Sequence, residues 1–340
     1  MTLKLILLSA TLFFSSSKDK ADKIIVGNPC SNDHPFGSTV TCTCYEEDYG
    51  NNLARQKYDL YLPDGFTNRP IVIYIHGGGF TGGHKRKFMN PANNIAQVAA
   101  FLDAGYAVAS LEYRLLNTSN ETVGLRKCIQ DCKDAIADIR NLPSSYGIDP
   151  DRIALWGSSA GAGIAMLIAF EDNTVNRPYK AVWVDIPQAT YDINKWQGGL
   201  GVFPDCNLTN IISILTPTKV KSIYGLGTAT ISNIPAFLSM TQSYRAEVDI
   251  IQYIDNTDPP VWIENKAAQN NQTLGNCPSS KDVLNHHKNH CLKLKNKLAA
   301  QNVEWHLRLK DVASNTIVTI HSQGAGNWNS GVEFVKDKLN

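Results

Sequence analysis

The sequence predicts an α/β fold: a mostly parallel central sheet flanked by helices, in a single domain with a cap inserted over it. Two observations carry that expectation. Across the central half of the chain, short β-rich runs alternate with amphipathic helical patterns, as in a sheet built from strand–helix–strand units. In addition, Gly157-Ser158-Ser159-Ala160-Gly161 stands directly between a strand-like run, Arg152 to Trp156, and a helix-like one, Ala160 to Phe170. The composition suits a globular fold, with 340 residues, 43% apolar and 19% charged, and excludes a disordered or collagen-like chain. Lys and Arg number 32 against 31 Asp and Glu, a net charge of +1, so there is no global field for nucleic acid or an anionic membrane.

Taken in order, the chain starts with Lys4, an apolar run from Leu5 to Phe14 and Ser15-Ser16-Ser17. A positive start, an apolar stretch too short to span a bilayer and small residues after it predict a signal peptide over residues 1–21 and a secreted mature chain, residues 22–340. No later stretch is apolar for long enough to predict a transmembrane helix. Lys57 to Leu62 alternates and reads as an early strand. Ile71 to Ile75 is a continuous β-branched and aromatic run, the pattern of a strand buried on both faces. A helix follows, capped by Asn90 with Pro91 at its first position and Gly105 past its end. Ala107 to Leu111 is the next strand. Ile129, Cys132, Ile136 and Ile139 then recur at helical spacing. After the strand–Ser159–helix unit comes a strand from Ala181 to Ile186. From about 187 to 249 the pattern degrades into Gly, Thr, Ser and Asn with scattered aromatics, which reads as the cap insertion. The sheet resumes at Pro260 to Glu264 and Val303 to Leu309, with one helix from about Val283 to Gln301 between them. A last helix spans Ser330 to Leu339.

Two motifs carry chemistry. In a G-x-S-x-G turn the glycines flanking the serine leave room for a bend so tight that Ser159 is pushed above the sheet edge, while the backbone N–H of Ala160 faces the reacting centre. His76-Gly77-Gly78-Gly79-Phe80 follows the buried strand directly, and its glycines let backbone N–H groups approach a developing oxyanion. Gly78, Gly79 and Ala160 are the expected donors. A phosphate-binding loop would need a following Lys-Ser/Thr or a G-x-G-x-x-G spacing, and neither is present.

With these motifs, Tyr113-Arg114 and the run Tyr146 to Ile153, the chain resembles the α/β-hydrolase esterases of the HGGG type. It stands close to the hormone-sensitive-lipase and bacterial feruloyl-esterase-like groups. The resemblance covers about Lys57 to Phe170 well and Asp258 to Val335 more loosely. It implies an α/β-hydrolase fold and a Ser–His–acid triad in chain order serine, acid, histidine. It also implies carboxylic-ester hydrolysis without a cofactor, on a small-molecule or polysaccharide-linked ester. An aryl formamide substrate and a non-catalytic binding module are the competing readings.

The histidine of such a triad follows the last core strand, which selects His321 over His306, a residue inside that strand. The acid is less direct, because no carboxylate occurs between Asn265 and Lys281. Counting back from the helix end selects Asp282, with Glu264 second and a neutral third member as a further option. His286, His287, His290 and Cys291 read as a polar helix face rather than a metal site, since the glutamate of H-E-x-x-H is missing. The eight cysteines favour disulfides in a secreted chain, with Cys277–Cys291 and a bridge within Cys30 to Cys44 preferred. Sequons begin at Asn117, Asn120, Asn207 and Asn271.

Overall fold

Among the described residues nine strands form one sheet in the order β1-β2-β4-β3-β5-β6-β7-β8-β9. They are β1 (Val40–Asp48), β2 (Lys57–Pro63), β3 (Arg69–Ile75), β4 (Ala107–Leu111), β5 (Ile148–Ser158), β6 (Tyr179–Asp185), β7 (Val261–Asn265), β8 (Trp305–Asp311) and β9 (Thr316–His321). The computed structural model describes Phe36 and residues 40–63, 67–89, 92–198, 201–266, 277–311, 316–322 and 326–340, with backbone only at 40–45, 88–89, 92–93 and 311. The expected signal peptide, the side chains of Cys30, Cys42 and Cys44, and the sequon asparagine Asn271 lie outside the described residues.

Strands β3 to β8 run parallel through the middle of the sheet, and β1, β2 and β9 add antiparallel pairings at its two sides. β3 is buried from Pro70 to Ile75, as a run apolar on both faces requires. Register brings the carboxyl ends to one level: Ile75 pairs with Gly157, Ser158 with Asp185, and Asp185 with Glu264. Loops leaving these ends meet along one edge of the sheet, where ligands of open α/β sheets bind.

Helices cover both faces. One face carries α2 (Arg126–Arg140), whose Ile129, Cys132, Ile136 and Ile139 are all buried, and α3 (Ala160–Glu171), buried along almost its whole length. The other carries α1 (Ala92–Leu102) and α10 (Gly331–Leu339), packed around Trp156, Trp183 and Trp262. Gly331 lets α10 close on the sheet, since a Cβ there would come within 2.4 Å of the Trp183 ring.

The stretch read as pattern-poor holds α4 (Leu208–Leu215), α5 (Pro217–Ile223) and α6 (Ile234–Glu247), and α7 (Ile250–Tyr253) follows it. Its starts are capped in turn by Asn207, Thr216 and Asn233, each accepting a backbone N–H three residues on. Ion pairs tie it down. Arg245 donates to both oxygens of buried Asp192 at 3.1 and 3.2 Å, and Lys195 pairs with buried Asp249.

Three sequence expectations need correction. The single helix over 283–301 is two, α8 (Lys281–His286) and α9 (Lys288–Ala300). His287 turns extended (φ −70°, ψ 145°), and its Nδ1 accepts the Asn289 N–H as a new N-cap. Cys277 bonds to Cys206 rather than Cys291, which is a buried free thiol, as are Cys128 and Cys132. The last core strand does not lead into a histidine loop: β8 is followed by β9, and His321 is β9's final residue, opposite His306.

Candidate active site

Ser159 sits at the turn between β5 and α3 with φ 51° and ψ −116°, a left-handed strained backbone for a residue with a Cβ. Neighbouring glycines make the turn possible. A Cβ on Gly157 would lie 2.2 Å from the Gly161 carbonyl oxygen, and one on Gly161 2.1 Å from that of Ile75. The Ser159 N–H donates to the Asp185 carbonyl at 2.9 Å, which locks the turn onto the end of β6.

The structure brings His286, not His321, to the serine. His286 Nε2 lies 2.9 Å from Ser159 Oγ, and its Nδ1 lies 2.9 Å from Asp282 Oδ1. Asp282 and His286 are one helical turn apart on α8, so a single short helix presents both. The carboxylate fixes the ring as the tautomer with its proton on Nδ1, leaving Nε2 to accept from the serine hydroxyl. Two side chains hold the end of α8: Asn265 donates to the His286 carbonyl at 2.9 Å, and Gln188 to that of Asn285 at 2.8 Å.

His321 is far from this point because β9 is four strand positions from β5, about 19 Å at the usual spacing. Its ring stacks on His306 at 5.5 Å, and its Nδ1 contacts the Ser322 carbonyl. Glu264, the second choice for the acid, is buried against Arg308 and Lys266 at 3.2 and 2.8 Å. Beside it, burial and then the Glu264 charge push the pKa of the Asp185 carboxyl up. The remaining histidines do not form the polar face expected of them. His287 and His290 are buried, and His290 accepts the Ala189 N–H and contacts the Leu284 carbonyl through Nε2. Burial pushes its pKa down to about 3. Among the described residues no group of three or more His, Cys, Asp and Glu stands where it could hold a metal.

The glycine loop closes the other side. Gly78 and Gly79 have φ of +126° and +59°, and both line the pocket with Ser159 and Ala160. Among the described residues, none of the three backbone N–H groups of Gly78, Gly79 and Ala160 has a hydrogen-bond acceptor. Three donors left open beside a serine hydroxyl are an arrangement that could receive an oxyanion. The loop is fixed from behind. Tyr113 OH donates to the His76 carbonyl at 2.8 Å, its ring stacks on His76 at 4.2 Å, and buried Glu112 meets His76 Nε2 at 3.1 Å.

The pocket above Ser159 has a volume of about 480 Å³. Cap and cap-proximal side chains, Tyr191, Ile193, Trp196, Leu215 and Ile223, supply its apolar wall. Lys219 of α5 reaches in to donate to the Gly79 carbonyl and, at 3.3 Å, to contact Thr81 Oγ1. Burial pushes its pKa down to about 8.

A family model described as BD-FAE matches residues 58–271. Among curated proteins, a probable isoprenylcysteine alpha-carbonyl methylesterase of Oryza sativa subsp. japonica is 35% identical over 131 residues. That match covers 38% of this chain and only 28% of the rice protein, so the chain spans less than a third of that relative's length. Two solved structures share the fold. Esterase B from Lactobacillus rhamnosis in inhibited form has a TM-score of 0.56 at 20% identity, covering 82% of this chain and 77% of that one. A truncated carbohydrate esterase from gut microbiota has a TM-score of 0.57 at 18% identity, covering 82% and 90%. The architecture they share is the α/β-hydrolase fold expected from the motifs.

Proposed function

From the premise that the chain belongs to the BD-FAE family, we propose that it is a serine carboxylic-ester hydrolase working through an acyl-enzyme on Ser159. The observation that carries this reading is the hydrogen-bonded series Ser159–His286–Asp282 facing three open backbone N–H groups. His286 Nε2 takes the hydroxyl proton as Ser159 Oγ attacks the ester carbonyl. The oxyanion that forms is received by the N–H groups of Gly78, Gly79 and Ala160. His286 then gives its proton to the leaving alcohol. In the second half it takes a proton from water as the water oxygen attacks the acyl carbonyl, then returns that proton to Ser159 Oγ as the carbonyl–Oγ bond breaks and the carboxylic acid is freed. Asp282 keeps the ring oriented and offsets the imidazolium charge.

The substrate in this reading is a small or carbohydrate-linked ester. The apolar wall over Ser159 supports it, as do relatives described as a methylesterase and a carbohydrate esterase. Secretion belongs to the same proposal: a paired Cys206–Cys277 suits an oxidising compartment, and residues 1–21 have the composition of a signal peptide. Among the described residues no helix is long and apolar enough to cross a membrane.

The test is turnover of para-nitrophenyl esters from acetate to decanoate, with an aryl formamide alongside. Ser159→Ala is expected to lower kcat by roughly a millionfold. Folded Ser159→Ala protein that keeps wild-type turnover would overturn the assignment.

A further inference from the structure

Among the described residues three lysines line the pocket, Lys87, Lys219 and Lys281, while the one carboxylate among those lining it, Asp282, is already bonded to His286. Lys219 is the unusual one. Its ammonium is half-buried on the cap helix α5 and turns inward over the Phe80 ring, 5.9 Å from the centroid. Its hydrogen bonds go to two neutral oxygens, the Gly79 carbonyl and Thr81 Oγ1. Among the described residues no carboxylate lies within 4.0 Å of Lys87, Lys219 or Lys281, although most of the buried acids of this protein have a cation beside them. Lys281 heads α8, one residue before Asp282, and is close enough for its charge to act against that of Lys219.

A half-buried cation without a counterion is costly, and here it stands at the wall of the space where substrate must sit. An anionic group arriving with the substrate would meet one ammonium inside and two at the rim, a complementary potential that favours both encounter and binding. We propose that this pocket selects esters bearing a carboxylate, received by Lys219 with Lys281 and Lys87 at the mouth. Hemiesters of dicarboxylic acids carry the anion on the acyl half, and acylated hydroxy acids carry it on the alcohol half. The proposal rests on the hydrolase reading above and adds the charge of its substrate.

Two matched pairs test it. Para-acetoxybenzoate against its methyl ester places the anion on the alcohol half. Mono-para-nitrophenyl glutarate against para-nitrophenyl pentanoate places it on the acyl half. Each kcat/KM is divided by the hydroxide-catalysed rate of the same ester. In at least one pair the anionic member is expected to win by about tenfold or more at low ionic strength, the scale of a charge-assisted hydrogen bond. That ratio should fall several-fold on raising the salt to about 0.5 M. It should fall again in Lys219→Met and, more weakly, in Lys281→Gln. The readout is the ratio because Lys219 also touches the Gly79 carbonyl, and salt tests the wild-type protein should Lys219→Met fail to fold. Ratios at or below one in both pairs, or a preference indifferent to salt and to both substitutions, would overturn the proposal. Neutral esters turned over with Ser159 dependence, but with no anionic preference, remove this inference and leave the hydrolase standing. Absence of Ser159-dependent turnover for every ester removes both.

Discussion

His286 lies one helical turn beyond Asp282, and that spacing lets one short helix bring its ring to the serine in place of His321, the histidine expected from the sequence. With Nε2 2.9 Å from Ser159 Oγ, His286→Ala is expected to cut kcat by about 10⁵-fold or more, whereas His321→Ala should stay within twofold of wild type. Asp282→Asn should cost at least about a hundredfold, because an amide in that place no longer selects the tautomer that accepts from serine. Steady-state kinetics on one para-nitrophenyl ester ranks all three, and a severe His321→Ala loss would reverse the assignment. The placement of Ser159, Gly78, Gly79 and Ala160 around one pocket was legible because the turn and loop they form need a local backbone shape, and local shape is written in consecutive residues. His286 was not, because a histidine acts from wherever the fold carries it. The available clue was the Asp282-x-x-x-His286 spacing, hidden among His287, His290 and Cys291.

The helix that presents this pair, α8, has only six residues and little hold of its own. Its position comes from outside attachments, among them Gln188 and Asn265 on its last carbonyls, His290 on the Leu284 carbonyl, and the Cys206–Cys277 bridge just ahead of it. The bridge closes a loop across a sequence separation of 71, so replacing both cysteines by serine should lower the unfolding free energy by about 2–4 kcal/mol. Turnover should fall even where the variant is still folded, since α8 then loses an anchor. Urea melts alongside kcat would show this, and a variant with unchanged kcat would place the bridge outside the site's support. The break at His287 escaped the sequence reading because helical periodicity runs through it, and a histidine is an infrequent N-cap. The cap helices were missed for the opposite reason. Their cap residues and the prolines of α5 and α6 were present, but α4 and α5 have only eight and seven residues, and the 14-residue α6 buries just Phe237 and Thr241, too few to mark a stripe.

At the scale of the molecule, the parallel middle of the sheet follows from the buried runs at β3, β5 and β6, which have no polar face to offer water. Its antiparallel margins do not, because an edge strand such as β9 carries Ile317, Val318 and Ile320 to the surface and lacks the alternation that marks a strand. The stability of the whole should depend on acid through His290. This group's folded pKa, about 3, lies below its ordinary value of 6.5, so the unfolded chain binds the proton more readily between those values. Stability is therefore lost as pH falls below about 6.5, by roughly 2 kcal/mol on reaching pH 5. In His290→Gln that share of the acid loss should vanish, which denaturant melts at pH 7 and pH 5 would measure. An equal loss in both proteins would assign it to other groups.

The bond between Cys206 and Cys277 also has a kinetic meaning. It fastens the cap, just ahead of α4, to the chain that leads into the histidine-bearing helix, so the roof and one wall of the pocket are covalently joined. A roof that swung open would drag His286 away from Ser159. With roof and wall joined, products are expected to leave at a rate set by the width of a standing entrance rather than by the beat of a lid.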